Sequence, residues 1–139
     1  MFGSKKSGGK PQARIDSLVG TGTRIDGDVT FSGGLRVDGE VRGSVTGSGS
    51  EGATLVVSEQ AVIEGEIRVA HVVVNGTVKG PIYASESLEL QPRCRVTGDV
   101  HYASVEMHLG AVVDGRFVHG DGGHVTDART VELKLAATN

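Results

Sequence analysis

A five-residue motif, apolar-x-Gly-x-apolar, recurs six times along this chain. It reads Ile25-Asp26-Gly27-Asp28-Val29, Val41-Arg42-Gly43-Ser44-Val45, Ile63-Glu64-Gly65-Glu66-Ile67, Val78-Lys79-Gly80-Pro81-Ile82, Val96-Thr97-Gly98-Asp99-Val100 and Val113-Asp114-Gly115-Arg116-Phe117. The central glycines step by 16, 22, 15, 18 and 17 residues. The long step contains Gly47-Ser48-Gly49-Ser50-Glu51-Gly52, and a loop insertion of about five residues there returns it to about 17. A second series shares the period. It comprises Leu35-Arg36-Val37, Leu55-Val56-Val57, Val72-Val73-Val74, Leu88-Glu89-Leu90 and Val105-Glu106-Met107, with steps of 17, 16 and 17 from Leu55 onward.

Two features with one period define a repeat architecture, which takes precedence over any local motif. Each run is too short to form a stable sheet alone. Stacking equivalent runs about 4.8 Å apart completes their hydrogen bonding and buries a continuous apolar column. Six coils make a rod about 30 Å long. Strand alternation puts the first, third and fifth residues of each motif on one side, so the motif is expected to be a single strand. The glycine then either leaves room where the wall bends inward or supplies a backbone angle that other residues resist. No sustained 3.6-residue apolar pattern interrupts the repeat, and there is no space for the helices of a βαβ fold. The expected fold is therefore all-β, a parallel β-helix (solenoid) of about six coils. With 22 Gly and only 37% hydrophobic residues the composition resembles that of disordered chains, but the ordered recurrence of β-branched residues excludes that class.

The residues before the central glycines, Asp26, Arg42, Glu64, Lys79, Thr97 and Asp114, are expected to stack as a ladder on one outer face. The first four alternate in sign, which favours a single register, because like charges directly opposite repel.

The chain divides into a flexible basic N-terminal tail (1–14), a β-helix domain (15–118) and a C-terminal loop and tail (119–139). In the last part, Val131-Glu132-Leu133-Lys134-Leu135 alternates as one more strand or a cap. A net charge of −3 gives no reason to expect nucleic acid as a partner. Cys94 stands alone, no apolar run reaches the length of a membrane helix, and the N-terminus is not that of a signal peptide, so a cytoplasmic location is expected.

Chemical motifs are few. Gly47 to Gly52 matches G-x-G-x-x-G, but the strand-like Ala53-Thr54-Leu55-Val56-Val57 follows where a dinucleotide site needs a helix. There is no phosphate-binding loop with its lysine. His101 and His119, one coil apart, could stack, and His124 could join them across the glycine loop, but without other ligand spacing they read as surface histidines. No catalytic, cofactor-binding or metal-binding residues are expected, and the chain is not expected to be an enzyme. Residues 1–14 contain Lys5, Lys6, Lys10 and Arg14 and no acid. They form either a solvated tail or a membrane foot, with Met1 and Phe2 inserted and the lysines over anionic lipid.

The Val-x-Gly-x-Val runs, the coils of about 17 residues and the MF-led basic tail together resemble the bactofilin family. The resemblance covers residues 15–118 and the tail. It implies a right-handed, three-faced β-helix in a bacterial cytoskeletal protein. Such a protein self-assembles without nucleotide into non-polar filaments by end-to-end stacking. Its tail binds the inner face of the cytoplasmic membrane, and it scaffolds cell-wall synthases or endopeptidases and so affects cell shape. An apolar residue of the terminal coil seals the C-terminal junction in that family. Phe117 matches it here, with Val113 beside it, although Phe117 could equally plug the end of the core. Ile15, Leu18 and Val19 are the corresponding candidates at the N-terminal junction. The rival reading is an acyltransferase on a left-handed β-helix, which requires strict six-residue repeats and an intersubunit cleft. A third is a monomeric scaffold.

Overall fold

The computed structural model describes residues 15–49 and 52–120, and the backbone of 124–126 and 131–132. All regular structure among them is β-strand. The first coil contains β1 (Ser17–Val19), β2 (Arg24–Asp26) and β3 (Val29–Ser32), and the second β4 (Gly34–Val37), β5 (Glu40–Arg42) and β6 (Val45–Ser48). β7 (Thr54–Val57), β8 (Val62–Glu64) and β9 (Ile67–Val74) follow. β10 (Thr77–Lys79), β11 (Ile82–Leu90), β12 (Arg95–Thr97), β13 (Val100–Met107), β14 (Val112–Asp114) and β15 (Phe117–His119) complete the solenoid. Beyond it lie β16 (His124–Thr126) and β17 (Val131–Glu132).

Parallel pairing arranges these strands as about six coils with three faces. β2, β5, β8, β10, β12 and β14 stack as one face. The long strands each turn a corner and serve the other two. Ile67 and Arg68 of β9 pair with Val45 and Thr46 of β6, whereas His71–Val74 pair with Thr54–Val57 of β7. At the same corner β11 carries a register shift between Ala84 and Ser87, the one-residue irregularity by which a strand bends without leaving its sheet.

The core is a set of stacked columns. Val19, Val37, Val57, Val74, Leu90 and Met107 are successive register partners, as are Leu35, Leu55, Leu88 and Val105 with Val72 between Leu55 and Leu88. Val41, Ile63, Val78, Val96 and Val113 line the opposite wall. Among the described residues no polar or charged side chain is buried, so the coils are held by apolar burial and by their ladder hydrogen bonds.

The glycine motif is not one strand, as alternation alone implies. Its first two residues end a strand of one face, the glycine turns the corner, and its fifth residue begins the next face. Both apolar ends still point inward, because the chain bends around the core between them. The corner requires glycine through close approach: a Cβ on Gly65 would overlap the carbonyl of Gly43 below it, and one on Gly98 would stand 2.6 Å from the Gly80 carbonyl oxygen. The glycines thus form a column that lets one coil settle on the next.

The irregular step lies between two strands, and Gly47 and Ser48, expected in a loop, belong instead to β6. β6 ends at Ser48 and β7 begins at Thr54, and the pairing of β9 with both continues the stack past the insertion. The predicted outer ladder also holds: Asp26, Arg42, Glu64, Lys79, Thr97 and Asp114 are consecutive register partners. Glu64 lies 3.9 Å from both Arg42 and Lys79. Arg42 makes its shorter contact along its own strand, at 3.0 Å to Glu40.

Candidate functional site: the two ends of the solenoid

A solenoid satisfies its backbone everywhere except at its first and last coils. At the N-terminal end β1, β2 and β3 pair only with the coil above, so all three edges are open among the described residues. An open edge carries a row of unsatisfied N–H and C=O groups that another strand can take up. Ile15 is 43% exposed and Leu18 is 59% exposed, both large apolar groups at this end. Val19 is buried in the first column, and Ile25 and Val29 are only partly covered. The charges of β2 are ordered too: Arg24 and Asp26 flank Ile25 and pair at 3.1 Å.

The C-terminal end differs. β16 pairs antiparallel with β15, setting Phe117 opposite Thr126, Val118 opposite Val125 and His119 opposite His124. β17 pairs antiparallel with β14, setting Val113 opposite Val131 and Val112 opposite Glu132. Two of the three edges are therefore covered by the chain itself. The third, Ser104–Met107 of β13, has no strand beyond it among the described residues, and Val105, in a core column, is 38% exposed there. Phe117 is largely buried, edge-on to Tyr102 at 6.3 Å, and Val113 is fully buried. The expected junction residues thus lie at the two ends, in different surroundings. Ile15 and Leu18 are exposed, Val19 is buried, and Phe117 and Val113 sit under a covered edge. The expected membrane-binding residues Met1, Phe2, Lys5, Lys6 and Lys10 lie outside the described residues.

Side-chain chemistry along the walls serves mainly to lock coil to coil. Asp28 accepts the Ser44 N–H of the next coil at 2.9 Å, and Asp99 accepts the Arg116 N–H at 3.0 Å. The Ser44 backbone N–H holds the Asp28 carboxyl below its ordinary range, and the Arg116 guanidinium does the same for Asp99. The Ser58 hydroxyl and then Arg36 lower Asp38. Burial pushes the Cys94 thiol up.

The histidines do not stack as their spacing implies. β13 begins with Val100 opposite Phe117, a step of 17, so His119 stands beside Tyr102 and His101 beside Val118. His101 instead stacks on Tyr83 at 4.4 Å, and Arg68 covers the other face of that ring at 4.0 Å. These three edge a shallow groove of about 750 Å³. One ligand-like group went unread in the sequence. Glu89 and Glu106 are register partners, and His108 lies 3.1 Å from Glu89 and 3.3 Å from Glu106. Their ligand atoms fall within 4.8 Å of one another, close enough to hold a metal ion. The 17-residue interval between the glutamates was the available signal.

An all-β parallel solenoid with open edges presents ends on which further strands can pair. The family model for bactofilins, described as polymer-forming cytoskeletal, matches residues 17–118. Bactofilin BacP of Myxococcus xanthus (strain DK1622) is 35% identical over 106 residues, which are 76% of this chain and 42% of BacP. Bactofilin BacO of the same strain is 31% identical over 100 residues, 72% of this chain and 76% of BacO. No solved structure matches the chain. The chain belongs to the bactofilin family. It is accordingly a member of a cytoskeletal, polymer-forming family, and its coil steps of 15 to 22 residues depart from the strict sixes of the acyltransferase reading. No helix among the described residues is long and apolar enough to cross a membrane.

Proposed function

We propose that this protein assembles end to end, without nucleotide, into non-polar filaments. These lie on the inner face of the cytoplasmic membrane and scaffold cell-wall synthases or endopeptidases. The observation that carries this reading is the N-terminal end: three open strand edges beside exposed Ile15 and Leu18. A non-polar filament needs each end to meet its own kind about a two-fold axis. β2 suits such a junction. Antiparallel pairing of two copies centred on Ile25 sets Arg24 of each opposite Asp26 of the other. At the C-terminal end, Phe117 and Val113 supply the apolar contact.

Lipid binding rests on residues 1–14, where each basic residue near an anionic surface contributes about 1 kcal/mol. One such tail binds marginally, and many on one polymer bind firmly.

The test uses one variant for each end. Leu18→Arg should block the N-terminal junction and Phe117→Arg the C-terminal junction, each leaving a folded dimer joined at the other end, as read by sedimentation. Filaments unchanged in both variants would exclude end-to-end stacking. Removing residues 2–10 should abolish co-sedimentation of filaments with anionic liposomes.

A further inference from the structure

The two ends are not equally available. At the N-terminal end every described edge is open, whereas β16 and β17 occupy the edges of β15 and β14 at the other. We infer that these two strands form a built-in cap that a second copy must displace before the C-terminal junction can form. The inference rests on the end-to-end reading proposed above and adds its regulation.

The topology supports this in three ways. First, the cap strands run antiparallel to the edges they cover, while every pairing within the solenoid is parallel. They end the stack rather than extend it. A copy meeting this end about a two-fold axis would also present antiparallel strands, so cap and second copy compete for the same N–H and C=O groups. Second, the cap is slight. β16 has three residues and β17 two, and short two-stranded pairings are marginal in water. A second copy, once its own cap is displaced as well, offers three edges at once. Third, the cap is incomplete. Ser104–Met107 of β13 remains unpaired among the described residues, with Val105 exposed, which leaves a place for a second copy to engage first.

The cap is tethered to its edge, so its effective concentration there is high and fixed, while that of a second copy rises with protein concentration. At low concentration the C-terminal end stays capped and assembly stops at dimers joined by N-terminal ends. Filaments form above a threshold that the cap sets.

Opening and locking the cap test this directly. Val125→Pro with Val131→Pro removes a backbone N–H from each cap strand. Val112→Cys with Glu132→Cys lets a disulfide hold β17 to β14, and oxidised and reduced forms of that one folded protein can be compared, so misfolding of the proline variant does not decide the result. Pelleting and negative-stain microscopy without nucleotide give the threshold. The proline variant should form filaments at least tenfold below the threshold of the full chain. The oxidised cysteine variant should stop at dimers, and reduction should restore filaments. Equal filament formation by oxidised and reduced protein overturns the cap. Full-chain filaments of unaltered threshold in all variants leave end-to-end stacking standing without a cap, whereas failure of every form to associate removes both.

Discussion

Gly65 rests on the carbonyl of Gly43, one of the closest approaches in the glycine column, because a Cβ at Gly65 would occupy the same space as that oxygen. The obstacle is backbone, which cannot rotate aside. Gly65→Ala should therefore cost on the order of 3 kcal/mol or more, combining overlap with an unfavourable φ. Gly20→Ala is the control: a Cβ placed there would meet nothing within 4 Å, and the change should stay within about 0.5 kcal/mol. Urea unfolding of the two variants checks the pair.

Gly47 presents a different constraint. A Cβ there would stand 2.6 Å from the Ala53 Cβ, 3.0 Å from Val69 and 3.3 Å from the Phe31 ring. The Val69 methyl and the Phe31 ring can shift, and the Ala53 Cβ can move only with its backbone, so Gly47→Ala should cost about 1–3 kcal/mol, less than Gly65→Ala. Reversal of that order would show that the Gly47 contacts, rather than the corner column, limit coil stacking.

The outer ladder should make stability depend on salt. Reversing Arg42 and Lys79 together surrounds Glu64 with like charge. The variant should melt lower than the parent, with the deficit shrinking as salt screens the repulsion. An equal deficit at low and high salt would assign the loss to packing of the side-chain stems.

Acid should weaken the coil-to-coil locks. Asp28, Asp38 and Asp99 are all held below their ordinary range in the folded chain. A carboxyl depressed by folding contributes stability that is complete above its unfolded value and lost as pH falls through the folded one. Melting temperature should therefore hold steady above about pH 5 and decline below about pH 4. Asp99→Asn should flatten part of that decline, which a pH series of thermal melts would read.

Cys94 is fully buried in a turn column with Ala61 and Ala111, and burial keeps its thiol protonated. It should resist a thiol reagent in the folded protein and react fully in denaturant.

Much of this fold was legible because one period governs both strand series. The register Asp26–Arg42–Glu64–Lys79–Thr97–Asp114 follows from stepping between equivalent glycines, and the insertion between Ser48 and Thr54 from the one step that breaks the period. The corner was hidden by a coincidence of geometry. Ile25 and Val29 point inward whether Gly27 lies within a straight strand or turns between two, so alternation cannot tell the cases apart. The 18-residue interval between His101 and His119 exceeds the 17-residue advance of that coil by one, which sets His119 beside Tyr102 rather than His101. The cap was half visible: alternation from Val131 marks a strand, but strand direction and partner depend on where the solenoid ends.

The most direct test of end-to-end assembly is negative-stain microscopy of the purified full chain without nucleotide, over rising concentration. Dimers are expected at low concentration and, above a threshold, unbranched filaments with no structural polarity. Discrete trimers, or monomers at every concentration, would contradict end-to-end assembly.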